Sequence, residues 1–162
     1  MNQYGTRAFQ TLIDFITSEQ DFDILREVML NNVSTLSLDQ NGNHVIQKLL
    51  FALPKSKNQF IFDELTKNLV DISKIQKGGI VITKALSIAN ESQKTKLILE
   101  IVKNIDKLII DSFGNFIIQT VILYQIEDIN NKIYKHVLTN IVPLSKDKFA
   151  SHVIDKVTLL IY

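Results

Sequence analysis

The chain repeats itself every 36 residues, and that period limits what it can fold into. Asn32, Asn68, Asn104 and Asn140 are evenly spaced. So are Val33, Leu69, Ile105 and Ile141, and so are Leu36, Ile72, Leu108 and Leu144. Eleven residues after each asparagine a second matched segment begins, at Asn43, Gly79, Asn115 and Ser151. A period of ~20–50 residues marks a solenoid, whose units bury their apolar faces only against their neighbours. Such a fold presents one surface position per repeat, and the residues at that position indicate what it binds.

Cut at the period, the full units are 19–54, 55–90, 91–126 and 127–162, with a partial unit at 1–18. The motif of the partial unit, Thr6 to Gln10, stands 37 residues before Asn43, so one extra residue lies in the following loop. Each full unit reads as two main helices. The first carries i, i+4 apolar pairs: Leu25 and Met29, Ile61 and Leu65, Leu97 and Ile101, Ile133 and Val137. The second carries Val45, Ile46 and Leu49, then Val81, Ile82 and Ala85, then Ile117, Ile118 and Val121, then Val153, Ile154 and Val157. Between them a short segment such as Val33 to Leu38 predicts a tight helical turn packed inward. The β-branched residues do not overrule this, because four aligned copies at one period favour helices. Pro54 and Pro143 are expected in connectors.

The expected fold class is therefore all-α, a right-handed crescent-shaped solenoid of ~36-residue helical repeats. Terminal repeats of a complete solenoid normally carry a polar cap. Here the N-terminus begins just before a second helix, and the C-terminus closes on the apolar run 157–162. The expectation is a fragment of a longer repeat domain. With 46% apolar and 22% charged residues the chain should be globular. It has no cysteine, which excludes disulfides and thiolate chemistry and fits a reducing, cytoplasmic setting. No apolar run reaches membrane-spanning length, and residues 1–5 do not open like a signal peptide, so no membrane partner is expected. The net charge of +1 means that any nucleic acid must be met by local charge and shape.

Aligned second helices give five versions of one pattern. They are Gly5-Thr6-Arg7-Ala8-Phe9-Gln10, Gly42-Asn43-His44-Val45-Ile46-Gln47-Lys48, and Gly78-Gly79-Ile80-Val81-Ile82-Thr83-Lys84. The last two are Gly114-Asn115-Phe116-Ile117-Ile118-Gln119-Thr120 and Ala150-Ser151-His152-Val153-Ile154-Asp155-Lys156. The two apolar members in the middle should face the core. The polar residues four apart, such as Asn43 and Gln47, should point the same way. An Asn/Gln pair offers amide donors and acceptors suited to the edge of uracil. Ser with an acid offers acceptors suited to the N1–H and N2–H₂ of guanine. Arg7, His44, Phe116 and His152 are flat groups on which bases can stack, worth ~1–3 kcal/mol per base. Lys48, Lys84 and Lys156 are candidate phosphate contacts.

These segments resemble Pumilio (PUF) RNA-binding repeats, the type example of reading one splayed base per helical repeat. The likeness covers nearly the whole chain, in order, and corresponds to repeats three to seven of the usual eight. It implies a crescent of three-helix repeats with RNA antiparallel on the concave face, so that later repeats read the 5′ bases. Residue by residue, Thr6 and Gln10 with Arg7 resemble an adenine reader. Asn43 and Gln47 with His44 resemble a uracil reader in a repeat the family often leaves tolerant. Asn115 and Gln119 with Phe116 resemble a uracil reader whose usual Tyr is replaced. Ser151, His152 and Asp155 resemble the guanine reader, with Asp155 one methylene shorter than the usual Glu. Gly79, Ile80 and Thr83 abandon the code, so their base is expected to be read weakly or not at all. The expected core is 5′-GUN(U/N)A-3′. The resemblance further implies action on messenger RNA 3′ untranslated regions, through recruited deadenylase or translational repressor proteins. No DNA, cofactor or metal is expected.

Other chemistry fares worse. Ser151, His152 and Asp155 contain the letters of a hydrolase triad, but adjacent positions on a helix diverge and cannot pair nucleophile with base. No phosphate-loop or dinucleotide fingerprint is present, so no enzyme is expected. The alternative is a protein-binding α-solenoid with degenerate or lost RNA binding, supported by the low net charge and the defective Gly79 repeat.

Overall fold

The computed structural model describes residues 2–161, and the side chains of Leu160 and Ile161 lie outside the described part. Tyr162, and so the end of the apolar run 157–162, also lies outside the described residues. The chain opens with α1 (Gln3–Ile13), followed by four successive sets of a long, a short and a long helix. These are α2 (Glu19–Leu30), α3 (Val33–Leu38) and α4 (Asn43–Ala52); then α5 (Gln59–Lys67), α6 (Leu69–Ser73) and α7 (Gln76–Ile88). Next come α8 (Glu91–Lys103), α9 (Ile105–Leu108) and α10 (Gly114–Leu123), then α11 (Glu127–Thr139), α12 (Ile141–Leu144) and α13 (Ala150–Ile161). Like helices stack on like. The second helices form one layer in the order α1, α4, α7, α10, α13, and the first helices form another in the order α2, α5, α8, α11. The short helices lie between. This is the expected all-α solenoid.

The evenly spaced asparagines have a common task. Asn32, Asn68, Asn104 and Asn140 each donate Nδ2 to the carbonyl four residues earlier, at 2.7, 3.0, 2.9 and 2.9 Å. Their own carbonyls accept from the N–H of Leu36, Ile72, Leu108 and Leu144. One residue thus closes the first helix and starts the short one, satisfying orphan backbone groups at both ends. All four hold φ between −113° and −104°, with the backbone leaving the α region at Asn68, Asn104 and Asn140.

Every predicted first-helix pair, from Leu25 and Met29 to Ile133 and Val137, is buried. The apolar members of the second helices are buried too, with three departures. Ile154 and Phe9 are half-buried, and Ala8 is exposed rather than facing the core, since α1 packs against α4 alone within its layer. Pro143 is also corrected: it lies inside α12, not in a connector. It occupies the first turn, where its missing N–H would have had no intrahelical acceptor. Between sets, Gln93 completes a capping box with Asn90 and reaches back to Asn58 Oδ1 (2.9 Å) and Gln59 Oε1 (3.1 Å). That buried polar link ties α8 to the start of α5.

Candidate nucleic-acid interface

The five motif copies all sit near the N-terminal ends of the stacked second helices. Their placement depends on a turn that the sequence reading missed. Asp39 Oδ1 accepts from the N–H of Asn41 (2.9 Å) and Gly42 (2.6 Å). Asp111 does the same for Phe113 and Gly114, and Asp147 for Phe149 and Ala150. Asn2 accepts from Gly5 N in the partial unit. An acidic or amide side chain four residues before the first polar motif position was the signal, present in four of the five copies. The Gly79 repeat has Ile75 there, which cannot accept a hydrogen bond. Its helix begins early, so α7 runs 13 residues where α4 and α10 run 10.

The two Asn/Gln copies carry the same network. Asn43 is 1% exposed and donates Nδ2 to the carbonyls of Asp39 (2.9 Å) and Gln40 (2.8 Å), while its Oδ1 accepts from Gln47 Nε2 (2.9 Å). Asn115 is 0% exposed, donates to Asp111 O (2.8 Å) and Ser112 O (3.2 Å), and accepts from Gln119 Nε2 (2.9 Å). Each asparagine thereby spends both amide protons on the turn and fixes which end of its glutamine points inward. The solvent-facing edge of the pair is the glutamine amide, with one oxygen acceptor and one remaining N–H donor.

The other copies differ. Thr6 is buried and donates Oγ1 to Asn2 O, and Gln10 Nε2 reaches Thr6 O at 3.3 Å. Ser151 Oγ donates to Lys148 O, and Asp155 is exposed with no ion pair or hydrogen bond among the described residues. At the Gly79 repeat, Thr83 Oγ1 donates to Gly79 O (2.9 Å) and offers no proton outward. The five second-position residues, Arg7, His44, Ile80, Phe116 and His152, are all exposed, one from each helix of the layer. The lysines are not equivalent. Lys48 is ion-paired with Asp14 at 2.5 Å, Lys84 lies over the Phe51 ring at 4.5 Å, and Lys156 has neither kind of partner among the described residues. No described helix is long and apolar enough to cross a membrane.

This arrangement has close counterparts. The model of the Pumilio-family RNA binding repeat matches residues 1–29, 32–66, 80–102 and 140–157, more than half of the chain. The Puf4 RNA-binding domain, solved with the HO endonuclease RNA 3′ UTR recognition sequence, superposes with TM-score 0.87 at 34% identity. That likeness covers 96% of this chain and 49% of the Puf4 chain. The RNA-binding domain of yeast Puf5p bound to SMX2 RNA gives TM-score 0.85 at 35% identity, over 96% of this chain and 46% of that one. Among curated relatives, suppressor protein MPT5 of Saccharomyces cerevisiae is 40% identical over 73 residues, covering 41% of this chain and 8% of MPT5. The chain thus spans about half of the solved Puf domains and a small part of that relative. With family-model matches over most of its length and the motif in register on every second helix, the chain belongs to the Pumilio family of RNA-binding repeat proteins.

Proposed function

We propose that this chain binds single-stranded RNA sequence-specifically, one base per repeat, on the concave face carrying the motif. The reading runs antiparallel. Ser151 and Asp155 take guanine, Asn115 and Gln119 take uracil, Asn43 and Gln47 take uracil or tolerate others, and Thr6 and Gln10 take adenine. Arg7, His44, Phe116 and His152 supply the stacking surfaces. The core is 5′-GUN(U/N)A-3′, with N opposite Gly79, Ile80 and Thr83. The protein would act after transcription on messenger RNA 3′ untranslated regions in the cytoplasm, recruiting deadenylase or translational repressor proteins.

The observation that carries this reading is the repeated amide network. Gln47 and Gln119 each hold one donor and one acceptor outward, locked by Asn43 and Asn115. Uracil offers a complementary pair, N3–H beside a carbonyl oxygen. A lock on the glutamine's orientation favours that order of donor and acceptor over cytosine's reversed one. An exposed flat group stands beside each glutamine, His44 at one and Phe116 at the other.

Fluorescence anisotropy at about 150 mM salt, where non-specific phosphate contacts are weakened, is the test. The probes are 5′-UGUAUAUA-3′ and a variant with its G and second U changed. Affinity for the first should fall at least tenfold on that change, and Gln119→Ala should reduce the uracil preference. Equal binding to both RNAs, or none, would sink the reading and favour the protein-binding solenoid.

A further inference from the structure

The turn ahead of the motif leaves one carbonyl to a side chain. The N–H of His44, Phe116 and His152 bonds three residues back, to Asn41 O (3.3 Å), Phe113 O (3.2 Å) and Phe149 O (3.2 Å). The carbonyl one residue earlier, of Gln40, Ser112 or Lys148, faces the first polar motif position instead. Asn43 Nδ2 donates to the first (2.8 Å), Asn115 Nδ2 to the second (3.2 Å) and Ser151 Oγ to the third (2.8 Å). An amide and a hydroxyl make the same bond, so the demand comes from the turn and not from asparagine.

The turn in its place depends on an aspartate. Asp111 Oδ1 holds the N–H of Phe113 (2.9 Å) and Gly114 (2.8 Å), and Asp147 Oδ1 holds those of Phe149 and Ala150 (2.8 Å each). Both carboxylates are half-buried. Where Ile75 stands instead, α7 already starts at Gln76, and the matching carbonyl belongs to the helix ladder. The consequence of the turn is polarity. With its proton on Lys148 O, Ser151 can only accept from outside. With both amide protons on the turn, Asn115 presents only Oδ1, and Gln119 must turn Nε2 toward it.

We propose that Asp111 and Asp147 are positioning residues for base selection, each setting the hydrogen-bond direction of the reader four residues later. The inference rests on the RNA-binding reading above. Asp147 makes Ser151 an acceptor, which suits the N–H groups of guanine and opposes the bare N1 of adenine. Asp111 fixes Gln119 in the order of donor and acceptor that uracil matches and cytosine reverses. Without the carboxylate, residues 112–114 wind into helix as residues 76–78 do. The carbonyl then returns to the backbone, and the reader is free to face either way.

The test compares 5′-UGUAUAUA-3′, 5′-UGCAUAUA-3′ and 5′-UAUAUAUA-3′ by anisotropy, at a temperature where circular dichroism shows every variant folded. For the native chain the first should bind about tenfold tighter than the second, the worth of one or two hydrogen bonds. In Asp111→Ala that ratio should fall to about twofold or less while the preference for guanine over adenine holds. Asp147→Ala should do the reverse. Asp111→Asn keeps an acceptor oxygen, as Asn2 does for the N–H of Gly5 (2.7 Å), and should retain the uracil preference. A merely structural role would weaken all three RNAs in proportion. That result, or unchanged ratios in both alanine variants, overturns the proposal and leaves RNA binding itself standing. A native chain that cannot distinguish the three RNAs removes both.

Discussion

Replacing Asn115 separates the structural task of its amide from any direct contact with a base. The residue is fully buried, with two donated hydrogen bonds and one accepted. Asn115→Ala removes all three, each worth ~0.5–1.5 kcal/mol net, and regains up to ~0.7 kcal/mol in helix propensity. The expected loss is about 2 kcal/mol. Asn115→Asp keeps the shape and the acceptor for Gln119, but sets a carboxylate oxygen against the carbonyls of Asp111 and Ser112. An uncompensated buried charge costs ~3–5 kcal/mol, so the near-isosteric variant should be the worse of the two. At ~2–4 °C per kcal/mol for a chain of this size, the melting temperature should fall ~4–8 °C for Ala and ~8–15 °C for Asp. Urea titrations with matched m-values check that the whole stack is being compared.

Acidification adds a second handle on the same variant. Burial and two facing carbonyls raise the new carboxyl above its unfolded value of ~3.9. A raised acid destabilises fully above its folded-state pKa, and that penalty shrinks as pH falls toward the unfolded value. The gap between the Asp and Ala variants should therefore narrow on acidification. An Asp variant as stable as the Ala variant at neutral pH, or a gap that ignores pH, would refute the donor account. A solvent-facing reader with no structural task would leave both variants near wild type.

Three further outcomes follow from the geometry. Gly78→Ala should destabilise by several kcal/mol, since its Cβ collides with Ile72 O, whereas Gly79→Ala should stabilise by ~0.5–1 kcal/mol, as a helix-interior glycine whose Cβ would make only an ordinary van der Waals contact with Ser73 O; thermal melts of both decide it. Restoring the turn and the pair together, Ile75→Asp with Gly79→Asn and Thr83→Gln, should turn the preference at N to uracil, read by anisotropy, while Thr83→Gln alone should not. The log–log salt dependence of RNA binding should be shallow, about two to four units, and Lys156→Ala should reduce it by ~0.7 while Lys48→Ala leaves it unchanged. The difference comes from Asp14, which already neutralises Lys48.

Much of the interface was legible because the repeat multiplies its evidence. Four copies of Leu25 and Met29 or their equivalents identify a buried stripe that one copy would leave ambiguous. The same alignment placed Asn43 beside Gln47 and Asn115 beside Gln119, and both pairs are hydrogen-bonded. It also held the turn residues Asp39, Asp111 and Asp147, which went unread because they lie just ahead of the helix they start. Pro143 and Ala8 were misplaced for another reason. A short helix admits proline in its first turn, and burial of an apolar residue needs a neighbouring helix to cover it.

What the sequence by itself determined is the periodic part: helices, their buried stripes, and one polar motif per repeat in register. Those follow from local geometry, because 3.6 residues per turn and a 36-residue period decide which side chains share a face. Only the tertiary structure decided which polar atoms remain available. Asp14 claims Lys48, the Phe51 ring lies under Lys84, and Asn58 and Gln59 claim the amide protons of Gln93. It also separated two adjacent glycines, one pressed against Ile72 and the other opening onto a groove walled by Phe113 and Phe116. Hydrogen-bond partners and empty space belong to the juxtaposition of neighbouring elements, and no single stretch of chain encodes them.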